Sequence, residues 1–233
     1  MRSIVHLSDM HFGRVNDHVI APMIEAITGV APDLVAVSGD LTQRARTRQF
    51  KDARAFLDRL PNGDDEIAVL GVNTARALTI KRGRINDAQI AWMSERLCAC
   101  GPGIVKIVVT HHPFDVPDGY DERNLVGPAG PAMEALARCG ADVFLAGHLH
   151  VRHTSQSVAR YNIKGHATLL VQAGTAACDR GRGEANAFNV LRIDRDEIAV
   201  ERFEWQPERG VFDPVRRERF RHTPDGWVKP GVT

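Results

Sequence analysis

The sequence predicts an α/β layered domain, and three observations carry that reading. Short apolar runs alternate with stretches whose apolar residues recur at helical spacing, up to the histidines at 148 and 150. Glycine, proline and asparagine clusters punctuate those runs at the expected boundaries. From about residue 168 the helical spacing gives way to successive strand-like runs with tight connections, as in an antiparallel sheet region. A chain of 233 residues, 43% apolar and 25% charged, is ordinary for one globular enzyme domain with a full core. One domain over 1–233 is expected, with about 168–233 completing the second sheet and ending in a tail.

Taken in order, residues 4–8 read as the first strand. Val19, Ile20, Met23, Ile24 and Ile27 mark a helix, with Gly29 placed to stop it. Residues 33–38 form a second strand, and Phe50, Ala53, Leu57 and Leu60 mark a helix ended by Pro61. A polar turn over 61–65 precedes a strand at 67–72. A helix over 87–98 is capped by Asn86 and buries Ile90, Met93 and Leu97. Strands at 104–109 and 143–146 flank a short helix marked by Met133, Leu136 and Ala137. Three further strands follow at 169–172, 187–193 and 198–205, and the basic run 216–221 reads as a solvated face.

Composition narrows the function classes. A formal net charge of +1 gives no footprint for nucleic acid, which disfavours a nuclease acting on DNA. The N-terminus enters a strand at once, and no run reaches the roughly 18–20 apolar residues of a bilayer span. A cytoplasmic location without membrane partners is therefore expected. Cys98, Cys100, Cys139 and Cys178 form neither a disulfide framework nor a metal-ligand spacing, so free, mostly buried thiols are expected.

The chemistry lies at four strand ends. Asp9 and His11 follow the first strand at i and i+2, and Gly39-Asp40 follows the second. His111 and His112 follow the strand at 104–109, and His148 and His150 follow Gly147 at i and i+2. On an extended exit, i and i+2 side chains leave on the same side. In α/β sheets ligands bind beyond the carboxyl ends of strands. Mixed carboxylate and imidazole donors suit Mn, Fe, Zn or Co better than Mg or Ca. Asp40 stands alone after a glycine, which makes it the candidate to bridge two ions about 3.5–4 Å apart.

The ordered series Asp9-x-His11, Gly39-Asp40, His111-His112-Pro113 and Gly147-His148-x-His150 resembles the calcineurin-like metallophosphoesterase superfamily. Within it, the chain is most similar to bacterial class III cyclic-nucleotide phosphodiesterases and their relatives, over residues 1 to about 195. The resemblance implies a four-layer αββα sandwich of two mixed β-sheets flanked by helices. It implies two divalent or trivalent metal ions: Asp9, His11 and His150 on the first, Asp40 bridging, and His111 and His148 on the second. Asp40, His111 and His148 would be the catalytic set, with a metal-bridging water attacking the phosphorus of a small phosphoester. A homodimer would accord with the same resemblance.

One departure qualifies this. The family's Gly-Asn-His motif, expected between Asp40 and His111, occurs nowhere in the chain. Either Asn73, in Gly71-Val72-Asn73-Thr74, is its degenerate form, or the motif and its loop have been lost between Leu60 and Asp65. Loss is favoured, because 61–65 is a short polar turn where a strand should lead into the motif. The rival to a phosphodiesterase is thus a metal-binding but impaired or silent member, acting as a ligand-binding or structural partner.

Other polar residues are read more plainly. His6 is a core or second-layer histidine inside a strand, and His112, just before Pro113, either reaches substrate or packs behind the ligands. His153 and His166 are surface residues, and Arg44 and Arg46 are read first as solvated helix arginines and second as contacts to a phosphate or to carboxylates near the site. Gly174, Thr175, Arg180, Arg182, Glu184 and Asn186 form a polar loop, stapled first by Arg–Glu pairing and only second a substrate contact. Phe188, Phe203 and Trp205 are core candidates rather than base-stacking platforms.

Overall fold

In the computed structural model the described residues are 1–61, 67–75, 83–101, 103–161, 163, 165–179, 183–194 and 196–230. The fold is α/β, with two mixed sheets and flanking helices. Two compact units can be drawn. The first holds Met1–Asp64, Gly147–Val151 and Ala173–Arg219; the second holds Asp65–Ala146, Arg152–Gln172 and Phe220–Thr233.

The first unit is built on β1 (Arg2–Ser8), which pairs parallel with β2 (Leu34–Ser38) and antiparallel with β8 (Ala187–Ile193). With neighbours on both sides, every residue of β1 from Ser3 to Ser8 is buried; Ile4, Val5 and Leu7 are apolar, and the polar Ser3, His6 and Ser8 are each hydrogen-bonded. The sheet continues through β9 (Glu197–Gln206) to β10 (Val211–Thr223). Helix α1 (Asp17–Val30) turns Val19, Met23 and Ile27 into the core, and α2 (Thr47–Leu57) adds Ala53 and Phe56. Phe188 stacks on Phe203 with ring centroids 5.1 Å apart, and Phe203 and Trp205 pack against the core as expected.

Three expectations are corrected here. Gly29 does not stop α1; the helix runs to Val30, and Ala31 closes it at φ 48°, just before Pro32. β2 starts at Leu34, one residue later than expected; Asp33 before it donates its N–H to the Ser3 carbonyl and accepts on its carboxylate from the Ser3 backbone N–H and the Arg2 side chain. The strands from β8 onward complete the sheet of β1, not the second sheet that the C-terminal part was expected to complete. The 13-residue β10 was missed altogether: its surface is charged, only Phe212 and Phe220 are buried, and backbone pairing rather than side-chain alternation holds it.

The second unit carries the parallel strands β3 (Ile67–Val72), β4 (Val105–Thr110), β5 (Val143–Ala146) and β7 (Leu169–Gln172), with β6 (His153–Gln156) antiparallel at the edge. Helices α3 (Asp87–Ala99) and α4 (Ala129–Arg138) pack on it through Met93, Leu97, Met133 and Leu136. Asn86 caps α3 as expected, its side chain accepting from the Gln89 N–H at 2.8 Å. The last residues of β10 pair with β11 (Gly226–Val228), and Trp227 is buried with its indole N–H on Asp142 at 2.9 Å. Cys98 and Cys139 form a disulfide, which corrects the expectation of four free thiols. The packing of α3 on α4 brings together two cysteines 41 residues apart, a pairing that sequence spacing does not reveal. Cys100 and Cys178 are free.

Candidate metal centre

In the first unit the ends of β1 and β2 and the segment 147–151 converge. One carboxylate oxygen of Asp9 and one ring nitrogen each of His11 and His150 lie within 4.8 Å of one another. His11 Nε2 and His150 Nε2 face each other at 3.3 Å, their rings nearly parallel at 13°. Two imidazole nitrogens bound to one ion at about 2.0–2.1 Å each come to a separation of this size. The donor set, one carboxylate and two imidazoles, is chemically suited to a borderline transition-metal ion.

Asp9 is wholly buried, and its carboxylate is held on both oxygens. Oδ1 accepts from the Asp40 N–H at 3.1 Å, and Oδ2 accepts from the His148 N–H at 3.0 Å and from Ser8 Oγ at 2.8 Å. His150 Nδ1 sits 2.7 Å from Thr175 Oγ1, which orients the ring so that Nε2 faces His11. Thr175 thus takes a role that the polar-loop reading did not give it. Arg180 and Arg182 of that loop, and residues 62–65 of the proposed deletion, lie outside the described residues.

The backbone here is unusual in a way the sequence did not signal. Among the described residues, non-glycine positive φ angles occur at Asp9, His11, Ala31, Ala45, His148 and His150. Four of these six are metal-ligand candidates, so left-handed strain is concentrated at the site. The extended-strand argument for His148 and His150 is therefore corrected: the chain turns at both, and the Leu149 N–H bonds to the Gly147 carbonyl at 3.0 Å. Asp9 and His11 still bring their donor atoms to one cluster, together with His150; His148 is not one of those three donors.

Glycines make the close approach possible. A Cβ on Gly39, at φ 74°, would stand 2.5 Å from Asp9 Oδ1; one on Gly147 would strike Ser8 Oγ and stand 2.7 Å from Asp9 Oδ2. Asp40 donates its N–H to Asp9 and accepts from the His11 N–H at 2.9 Å through its carbonyl. Its own side chain is exposed and is not one of the three clustered donors. His6 is fully buried, with Nε2 2.8 Å from Ser38 Oγ. Burial pushes its pKa down to about 3, against a smaller opposing pull from the Asp9 carboxylate.

His111 and His112 stand in the second unit at the exit of β4, their rings edge-on with centroids 4.4 Å apart. His112 is buried, its Nδ1 2.9 Å from Thr74 Oγ1, and a Cβ on Gly83 would strike its ring. Asn73 is exposed at the end of β3; its amide oxygen accepts from the Ala75 N–H at 2.9 Å. His153 and His166 are not the bare surface residues expected. His153 Nε2 lies 3.0 Å from Asp115 Oδ2, and His166 Nε2 lies 2.9 Å from the Ala141 carbonyl. Both partners are remote in sequence, so local pattern gave no sign of them. Arg44 and Arg46 are exposed, as expected.

A calcineurin-like phosphoesterase superfamily domain model matches residues 1–196. The chain belongs to that superfamily. Calcineurin-like phosphoesterases are metal-dependent hydrolases binding two divalent ions, and the His/Asp donor cluster of this chain is of the corresponding type. A dimetal phosphatase from Danio rerio has a similar structure, with a TM-score of 0.64 at 10% identity over 94% of this chain and 98% of that one. Vps29 from Chaetomium thermophilum is also similar, with a TM-score of 0.53 at 11% identity over 98% of each chain. At such identities the likeness concerns the fold. No curated protein matches the chain. Among the described residues, no helix is long and apolar enough to cross a membrane.

Proposed function

We propose that this calcineurin-like phosphoesterase is a dinuclear metal enzyme that hydrolyses phosphodiesters, with cyclic nucleotides or other small diesters as its substrate class. The observation that carries the reading is the convergence of Asp9, His11 and His150 within 4.8 Å on strained backbone. Folding alone has no use for a buried carboxylate beside two facing imidazoles. In this reading Asp9, His11 and His150 hold one ion, Asp40 bridges, and His111 and His148 serve the other, with Mn, Fe, Zn or Co as candidates.

Two such ions, when bound, would supply charge neutralisation at the phosphoryl oxygens and a nucleophilic water at neutral pH. The chain's own contribution is preorganisation. Hydrogen bonds from Ser8, Asp40 and His148 fix the Asp9 carboxylate, and Thr175 fixes His150, so little reorganisation accompanies the reaction. The resemblance gives the histidine of the Asn-His motif a role in stabilising the phosphate or protonating the leaving group; without it, general-acid assistance of typically 10²–10⁴-fold would be absent.

That absence supports a second reading, a metal-binding but silent member. Asn73 favours it over a substituted motif, since its amide oxygen closes a local turn with Ala75. The experiment is a metal titration of the Asp40→Ala variant by calorimetry. Loss of both ions is expected if Asp40 is the bridge; two tightly held ions in the variant would refute that assignment.

A further inference from the structure

The turn that carries His111 is held far more firmly than a surface connection requires. Three successive carbonyls are each engaged from a different segment of the second unit. Pro113 accepts from the Val126 N–H at 2.9 Å, Phe114 from the Tyr161 hydroxyl at 2.5 Å, and Asp115 from Gln172 Nε2 at 2.5 Å. The Asp115 side chain is buried and takes three more donors: Ser155 Oγ at 2.5 Å, Arg160 Nε at 2.6 Å and His153 Nε2 at 3.0 Å. Arg160 is itself held by Glu122 at 2.7 Å.

A buried carboxylate is an expensive way to fasten a loop, because desolvation offsets most of what its ion pairs contribute. Burial alone would raise the Asp115 carboxyl, yet the bonds from His153, Ser155 and Arg160 outweigh it and hold it well below the usual carboxylate range. Such a network specifies one geometry more than it adds stability. The nearest residue of the proposed metal-ligand set along the chain is His111, four residues before Asp115, with the buried and hydrogen-bonded His112 between them.

We propose that Asp115 is a positioning residue for His111: the Asp115–Ser155–Arg160–His153 network fixes the turn over 111–115 so that the His111 imidazole is preset to receive a metal ion. The inference rests on the reading of His111 as a metal ligand. It assigns Asp115 no contact with substrate or ion. Groups that orient a ligand in this way typically change metal affinity by about 10–100-fold when removed.

The test compares wild type, His111→Ala, Asp115→Asn and the milder Ser155→Ala by Mn²⁺ equilibrium dialysis with metal analysis, alongside thermal melting without metal. Asp115→Asn places an amide NH₂ against donors that need an acceptor. The expected result is two ions on wild type, one lost in His111→Ala, and that same ion weakened about 10–100-fold in Asp115→Asn and less in Ser155→Ala. The melting temperature of Ser155→Ala should stay near wild type, which separates positioning from stability. If His111→Ala loses an ion while both network variants titrate like wild type, Asp115 only staples the loop and the proposal is overturned, with the metal reading intact. If His111→Ala binds like wild type, the metal reading of His111 fails and the proposal falls with it.

Discussion

Gly147 and Gly39 bracket the Asp9 carboxylate so closely that a single added methyl group has nowhere to go. For Gly147→Ala the new carbon meets Ser8 Oγ, the hydroxyl that donates to Asp9. Overpacking of this kind costs about 1–3 kcal/mol. With Asp9 as the metal ligand proposed above, displacing its carboxylate by about 1 Å costs on the order of 10² in rate. Thermal melting and steady-state hydrolysis of the variant should show both losses; full activity at wild-type stability would mean that the carboxylate is not held where it acts. His6 gives the pH dependence. Its folded pKa of about 3 lies below the ordinary 6.5, so the unfolded chain binds the extra proton between those values. Stability is therefore fully present above pH 6.5 and falls toward pH 3, by at most about 1.4 kcal/mol per pH unit from this one group. Urea midpoints at pH 7 and pH 5 should differ more for wild type than for His6→Gln; equal slopes would remove His6 as the cause. The ligand types were legible in the sequence because each follows a strand. The glycine clearances and the Thr175 bond were not, since each depends on segments remote in sequence, and the left-handed angles and the Ser8 bond to its neighbour Asp9 leave no mark in hydrophobic pattern.

At the scale of elements, periodicity located the four α-helices and most strands of the described residues because burial imposes it. Met93 and Leu97 on α3 or Val19, Met23 and Ile27 on α1 could hardly be read otherwise. It failed where burial does not rule. Strand β10 presents arginines paired with Glu197, Glu201 and Glu218 rather than an alternating apolar face. The end of α1 was set by a left-handed Ala31 before Pro32 instead of by Gly29. The Cys98–Cys139 bond belongs to this scale, since it joins the last turn of α3 to the cap of α4. Closing a loop of this length contributes roughly 3–4 kcal/mol by loop entropy. Thiol titration of denatured, unreduced protein should find two free cysteines, rising to four after a dithiol reductant, with a lower melting temperature. Four free thiols without reductant would contradict the pairing.

For the whole molecule, the α/β class followed from the alternation of strand-like and helical runs, and the family from the order of the ligand motifs, which a single point of resemblance could not have given. The division into units was not visible. Asp9, His11, Asp40, His148 and His150 fall in the first and His111 in the second, although His148 and His150 lie more than a hundred residues beyond Asp40 in the chain. Membership of the superfamily leaves turnover to be established, because the chain keeps six ligand types of the series and lacks the Asn-His pair. The central claim is tested most directly by stripping the protein of metal and titrating Mn²⁺ while following hydrolysis of a chromogenic phosphodiester, with Asp9→Asn as the control. Turnover that rises with Mn²⁺ and disappears in the control is the expected result. A folded wild-type protein that binds two ions and releases no product would contradict it and leave the silent member as the reading.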